Sequence, residues 1–301
     1  MAYIRETCAA GKTFEVRKYY SYRCPRKGGR RERKERPTCE AQARVNRRKA
    51  ARELRRLMNA NFQDGDLLVR LDFCKTDLPE DSSRMQEYMG TFLKKLRVVY
   101  RKLGTVLKYI YVKEVGPRGG RHVHILLSRC ADALEVLRRC WTFGGIHADP
   151  LNSGGQYKRI AEYFIKYSGR TQETEGQLIG KRWYPSRSLV RPVVHREQIR
   201  ARSFRRNIKT LPGYVLEKDS VQYGISEYSG YEYFSYTLIK TGDDGGGKQA
   251  SDRTPEAAEE SCTGATERKR RQKNHHLPGR TETEKSETVK DSLQKGEKHH
   301  V

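Results

Sequence analysis

The stretch Glu114-Val115-Gly116-Pro117-Arg118-Gly119-Gly120-Arg121-His122-Val123-His124-Ile125-Leu126-Leu127 constrains the fold more than any other part of the chain. His122 and His124 stand two apart in a run of β-branched and aliphatic residues, and a strand turns residues i and i+2 to one face. Both imidazoles therefore share a side. Upstream, Leu107 to Glu114 (LKYIYVKE) reads as another strand. The short glycine-rich connection from Gly116 to Gly120 returns the chain antiparallel and brings Glu114 toward the histidines. One carboxylate and two imidazoles make a donor set for a hard or borderline divalent ion, Mg²⁺ or Mn²⁺, with positions left for water and phosphate. A hydrogen-bonded pair of core histidines gives the same pattern.

A second constellation follows about forty residues on, in Tyr163-Phe164-Ile165-Lys166-Tyr167, after the helix-compatible run Gln156 to Ala161. On a helix, Tyr163 and Lys166 are i, i+3 neighbours and Tyr163 and Tyr167 are i, i+4 neighbours, so the three share a face. A phenol beside an ammonium and near a metal can attack a phosphodiester.

A strand-borne His-hydrophobic-His followed by a helical Tyr-x-x-Lys resembles the HUH endonucleases, the rolling-circle replication initiators of phages, plasmids and small single-stranded DNA viruses. Three further stretches are similar to the group around filamentous-phage gene II protein and related replication-associated proteins: Asn46 to Phe73, the YFIKY box, and Lys181 to Leu189. The resemblance covers roughly residues 40–195. It implies that Glu114, His122 and His124 hold the divalent ion. It also implies that Tyr163 is the nucleophile, assisted by Lys166, and that Tyr167 is a second nucleophile or a packing residue. The implied activity is nicking of single-stranded DNA at a replication origin through a 5′-phosphotyrosine, followed by rejoining. Host helicase and polymerase are the implied partners, in a bacterial cytoplasm. A transposase or relaxase of the same chemistry shares these motifs. A noncatalytic basic nucleic-acid-binding protein, with structural histidines, is the reading from another class.

Charge supports a polyanionic partner. Lys and Arg number 62 against 37 Asp and Glu, a formal net charge of +25. The segment from Thr241 to Val301 holds 12 acidic and 12 basic side chains, so the excess lies before it. Arg17 to Arg36 is dense in cations with Tyr19, Tyr20 and Tyr22 between them, suited to phosphates and to stacked bases. Glu40 to Ala60 reads as a basic helix with a narrow apolar stripe of Ala50, Leu54, Leu57 and Met58. Its Arg47, Arg48, Arg52, Arg55 and Arg56 are expected to face DNA, together with Arg121 at the start of the histidine strand.

The intervening pattern completes an architecture. Leu67 to Phe73 alternates as a half-buried strand, with Arg70 and Asp72 at its polar positions. Met85, Met89, Phe92, Leu96 and Val99 recur at helical spacing, with Lys94, Lys95, Arg97, Arg101 and Lys102 opposite. Ala131 to Trp141 reads as a helix, and Gly145 to Leu151 as a short strand whose His147 is an alternative ligand to Glu114. The order strand, helix, two strands, helix, strand, helix predicts an α+β fold. In it an antiparallel central sheet of about five strands is flanked by helices, with the histidines on a central strand. Residues 1–39 are read as a basic arm, 40–195 as the nicking domain, 196–240 as its extension, and 241–301 as a disordered tail poor in large apolar residues.

Seven cysteines without regular spacing do not form a disulfide framework, and Cys24 and Cys39 lack the partners of a zinc site. No apolar run approaches a bilayer's thickness, so no membrane is expected. No G-x-x-x-x-G-K-[ST] occurs, so no fused P-loop helicase is expected either.

Overall fold

A computed structural model describes residues 2–21, 40–115, 119–174, 181–200, 203–227 and 229–241. The tail, Cys24 and Cys39, residues 22–39 of the basic arm, and the centre of the Gly116 to Gly120 connection lie outside the described residues. In chain order the elements are β1 (Ala2–Ala10), β2 (Thr13–Ser21), α1 (Glu40–Asn59), β3 (Leu67–Asp72), α2 (Ser82–Lys102), β4 (Tyr109–Val115), β5 (Arg121–Leu127) and α3 (Ala133–Cys140). They continue with β6 (Ile146–Pro150), α4 (Lys158–Thr174), β7 (Tyr184–Pro185), β8 (Val194–Ile199), β9 (Tyr214–Leu216), β10 (Gln222–Ile225) and β11 (Glu232–Lys240).

The first sheet has the order β6-β3-β5-β4-β7, with every neighbouring pair antiparallel. The histidine strand β5 is its middle strand, as the pattern from Leu67 to the tyrosine helix predicts. Alternation splits the sheet's side chains between two cores. Val69, Leu71, Tyr109, Tyr111, Val123, Ile125 and Leu127 pack with α2 and α3. Ile110, Val112 and Leu126 pack with α1 and α4. The even positions of β5 thus point toward the tyrosine helix, which sets the side on which the site forms.

Helix α2 starts at Asp81, whose side chain accepts the Arg84 N–H at 2.7 Å and satisfies one of the donors a helix start leaves open. Helix α4 is positioned by its entry. The backbone N–H of fully buried Tyr157 donates to Asn59 Oδ1 at 3.0 Å, tying its start to the end of α1. From there Ala161, Phe164 and Ile165 recur at helical spacing against Leu54, Met58 and Val112.

The second sheet has six strands in the order β10-β11-β2-β1-β8, with β9 also paired to β11. It corrects the reading of the N-terminus: residues 2–21 are not an arm but a β-hairpin at the middle of a sheet, turning at Gly11 and Lys12 with Gly11 at φ +57°. A side chain at Gly11 would also run into the Asn59 carbonyl, 2.0 Å from where its Cβ would stand. The hairpin escapes the pattern because its buried face carries Glu6, Thr13 and Glu15, which read as solvent positions. Strands β8 to β11, from Val194 onward, supply the rest of this sheet. Arg56 of α1 joins sheet and helix, its Nε donating to Glu15 at 2.6 Å and its Nη2 to Glu6 at 2.8 Å.

Candidate active site

One cross-strand row sets the site. Asp72 on β3 lies opposite His122 on β5, and His122 lies opposite Glu114 on β4. Directly opposed residues of an antiparallel sheet face the same way, so all three project on the α4 side. One step along, His124 opposes Arg70, which also opposes His147 on β6. The sheet therefore gathers three histidines and two carboxylates on one face.

Each imidazole is oriented by a carboxylate. His124 is buried, with its Nε2 2.9 Å from Glu114 Oε2. His122 is half-exposed, with its Nδ1 2.7 Å from Asp72 Oδ1, and exposed His147 places Nε2 3.2 Å from Asp72 Oδ2. Burial acts to raise the Asp72 pKa, but hydrogen bonds from Arg70 and His122 outweigh it and hold the carboxyl below its ordinary value. The backbone at Asp72 is fixed by its neighbours. Its N–H donates to the Gly145 carbonyl at 2.9 Å and its carbonyl accepts the Trp141 Nε1–H at 3.1 Å. Gly144 sits so close that a Cβ there would lie 2.3 Å from that carbonyl oxygen.

Helix α4 closes the site from above. Tyr167 stacks on His124 with ring centroids 4.1 Å apart and planes 1° from parallel. Tyr163 meets the same imidazole edge-on at 5.7 Å and Tyr167 at 4.0 Å. Their exposures differ sharply: 44% for Tyr163 and 6% for Tyr167. Lys166 is exposed on the same helix, and no hydrogen bond joins it to either phenol.

Glu114, His122 and His124 are thus on one face, and their donor types suit a divalent ion. In the described conformation His122 and His124 each address a separate carboxylate. Among the described residues no three His, Cys, Asp or Glu side chains form a closed coordination group. The residues fit an ion by donor chemistry and by position on the sheet, with His122 held through Nδ1 as a ligand imidazole commonly is.

The arginines expected to face DNA divide. Arg47 and Arg48 are exposed on α1. Arg55 and Arg56 instead turn inward to the second sheet, where Arg55 Nη2 is 3.0 Å from Glu15 and Arg56 is buried between Glu6 and Glu15. Arg52 is half-buried close to Arg17. Arg121 alternates away from the histidines, and its guanidinium donates to the carbonyls of Glu80 and Gly119. What the sequence reading missed is Asp72, whose only signal was a polar position in an alternating strand.

Among the described residues no helix is long and apolar enough to cross a membrane. No curated protein and no solved structure matches the chain. Residues 72–172 match a family model, and that stretch holds Asp72, Glu114, the three histidines and both tyrosines. Over these residues, which run from the end of β3 through most of α4 and make up about a third of the chain, it is similar to the replication-associated protein family of the ORF2 and gene II protein type.

Proposed function

We propose that this protein initiates rolling-circle DNA replication by nicking one strand at an origin and later rejoining it. The observation that carries this reading is a single solvent-exposed phenol, Tyr163, set edge-on against a buried imidazole that Glu114 and Tyr167 fix in place. The Tyr163 hydroxyl oxygen attacks the scissile phosphorus and the bond to the 3′ oxygen breaks. That oxygen leaves as a 3′-hydroxyl, taking up a proton, while the 5′-phosphate stays on the tyrosine. Each step exchanges one ester for another, so an incoming 3′-hydroxyl can reverse it and seal a strand.

A free phenol has a pKa near 10, and a nearby cation favours its phenolate. Lys166, one turn on, is the chain's own cation for that role. Tyr167, packed face to face with His124, serves to orient it. Glu114, His122 and His124 are the residues that would hold Mg²⁺ or Mn²⁺, and the ion would draw charge from the scissile phosphate. The released 3′-hydroxyl suits a host polymerase, and strand opening falls to a host helicase.

The test is incubation of the purified protein with labelled single-stranded oligonucleotides from its own intergenic region, in Mn²⁺ or EDTA, followed by a denaturing gel. A metal-dependent protein–DNA band is expected, absent in Tyr163→Phe and retained in Tyr167→Phe. A band that survives Tyr163→Phe moves the nucleophile elsewhere. No band on any segment, with DNA still bound, leaves a noncatalytic binding protein.

A further inference from the structure

The two faces of the five-stranded sheet are covered differently. The candidate active site occupies the α1 and α4 face, whereas α2 and α3 cover the other. On the outer side of that second face stand Lys94, Lys95, Arg101 and Lys102 of α2 and Arg138 and Arg139 of α3, all exposed. None of the six forms an ion pair among the described residues. The sequence offers α2 no acid to pair with there, because no Asp or Glu occurs between Glu87 and Glu114.

The two helices contribute to one field. The thiol of Cys140, at the end of α3, is raised by burial and pulled back by both Arg139 and Lys95. Cations in a helix's last turn offset its macrodipole, which accounts locally for Arg101, Lys102, Arg138 and Arg139. It does not account for Lys94 and Lys95, which lie mid-helix. There an exposed face gains from oppositely charged i, i+4 pairs and loses from like charges.

We propose that the α2–α3 face binds the sugar-phosphate backbone of double-stranded DNA, on the side of the sheet away from the tyrosines. From Lys94 to Lys102 the helix advances about 12 Å at ~1.5 Å per residue. That is the reach of about three to four nucleotides of one strand along the duplex axis. A single strand finds nothing to stack on, since Phe92, Tyr100 and Trp141 are buried beneath the helices. An acidic protein would want an apolar centre, and Val98 is the one exposed apolar side chain between Lys94 and Lys102.

The full-length protein is titrated into a short labelled duplex and into the matching single strand over a series of NaCl concentrations. The variant Lys94→Glu/Lys95→Glu/Lys102→Glu is compared with Arg205→Glu/Lys218→Glu/Lys240→Glu, an equal charge change on exposed positions of the other sheet's segment. The first variant is expected to lower duplex affinity at least ~10-fold and to shrink the salt slope by about 3, near 0.9 per lost phosphate contact. Single-strand affinity should hold in that variant, and duplex affinity should hold in the second. Equal weakening by both variants would reduce the effect to net charge, and unchanged duplex affinity would leave a solvated face or one for an acidic partner. Either result overturns the proposal. Should the glutamates unfold the helix, the corresponding glutamine triple keeps the test, with the same loss of slope expected.

Discussion

Asp72 binds three side chains at once: Arg70 Nη2 at 3.1 Å, His122 Nδ1 at 2.7 Å and His147 Nε2 at 3.2 Å. Its lowered pKa keeps it a carboxylate at neutral pH, and a carboxylate fixes which nitrogen of His122 carries the proton. Asp72→Asn keeps the shape and removes that preference. The expected outcome is a ~10- to 100-fold loss of Mn²⁺ affinity by calorimetric titration, with the unfolding temperature nearly unchanged. Equal Mn²⁺ affinity in the variant would remove Asp72 from any part in orienting His122. That Glu114, His122 and His124 share one face was legible because they lie on two strands close together in the sequence. Asp72 was not, and His147 was legible only as an alternative to Glu114, because their place beside His122 depends on long-range pairing of β3 with β5 and β6. Alternation says which residues of a strand share a face, and it is silent on which strand lies next door.

Most elements from β3 to α4 follow the hydrophobic period: the helices each bury one apolar stripe, while β4 and the end of β5 are buried on both faces and read largely as continuous apolar runs. The Met85 to Val99 spacing falls inside α2, and Leu67 to Phe73 brackets β3. The N-terminal hairpin hid because polar groups occupy its buried side, and the reason lies in α1. Arg56, with its side chain 7% exposed, spans Glu6 and Glu15, so two carboxylates that would otherwise stay in solvent are satisfied indoors. The basic stripe expected to read DNA is therefore partly a tether between helix and sheet. Arg56→Ala leaves two buried carboxylates short of a partner, and a cost of about 3–5 kcal/mol is expected in denaturant unfolding. Arg47→Ala, at an exposed position, is expected to change stability by less than ~0.5 kcal/mol. If the two variants unfold alike, the tether is not a stabilising element.

Across the whole molecule the buried charge network makes the fold acid-sensitive. Burial alone would raise the Glu6 pKa, but Arg56, Arg17 and Arg196 together lower it from 4.5 to about 2. At Glu15 burial likewise pushes the pKa up, and Arg55 and Arg56 outweigh it and hold the carboxyl below its ordinary value. A carboxyl whose folded pKa is depressed stabilises the fold above its unfolded pKa and loses that contribution as pH falls toward the folded one. For Glu6 the window runs from about pH 4.5 down to about 2. At ~1.4 kcal/mol per unit its contribution amounts to about 3 kcal/mol. The side chain is 3% exposed, so solvent screening takes little from that figure. Stability from denaturant titrations is therefore expected to stay level from neutral pH to about 5 and to fall steeply below. Glu6→Gln separates this network from the general repulsion of a chain with net charge +25. The variant should be less stable at neutral pH, since three arginines lose a charged partner, yet fall less on acidification. If its acid limb is as steep as that of the parent, the sensitivity comes from overall charge and not from the Glu6 network.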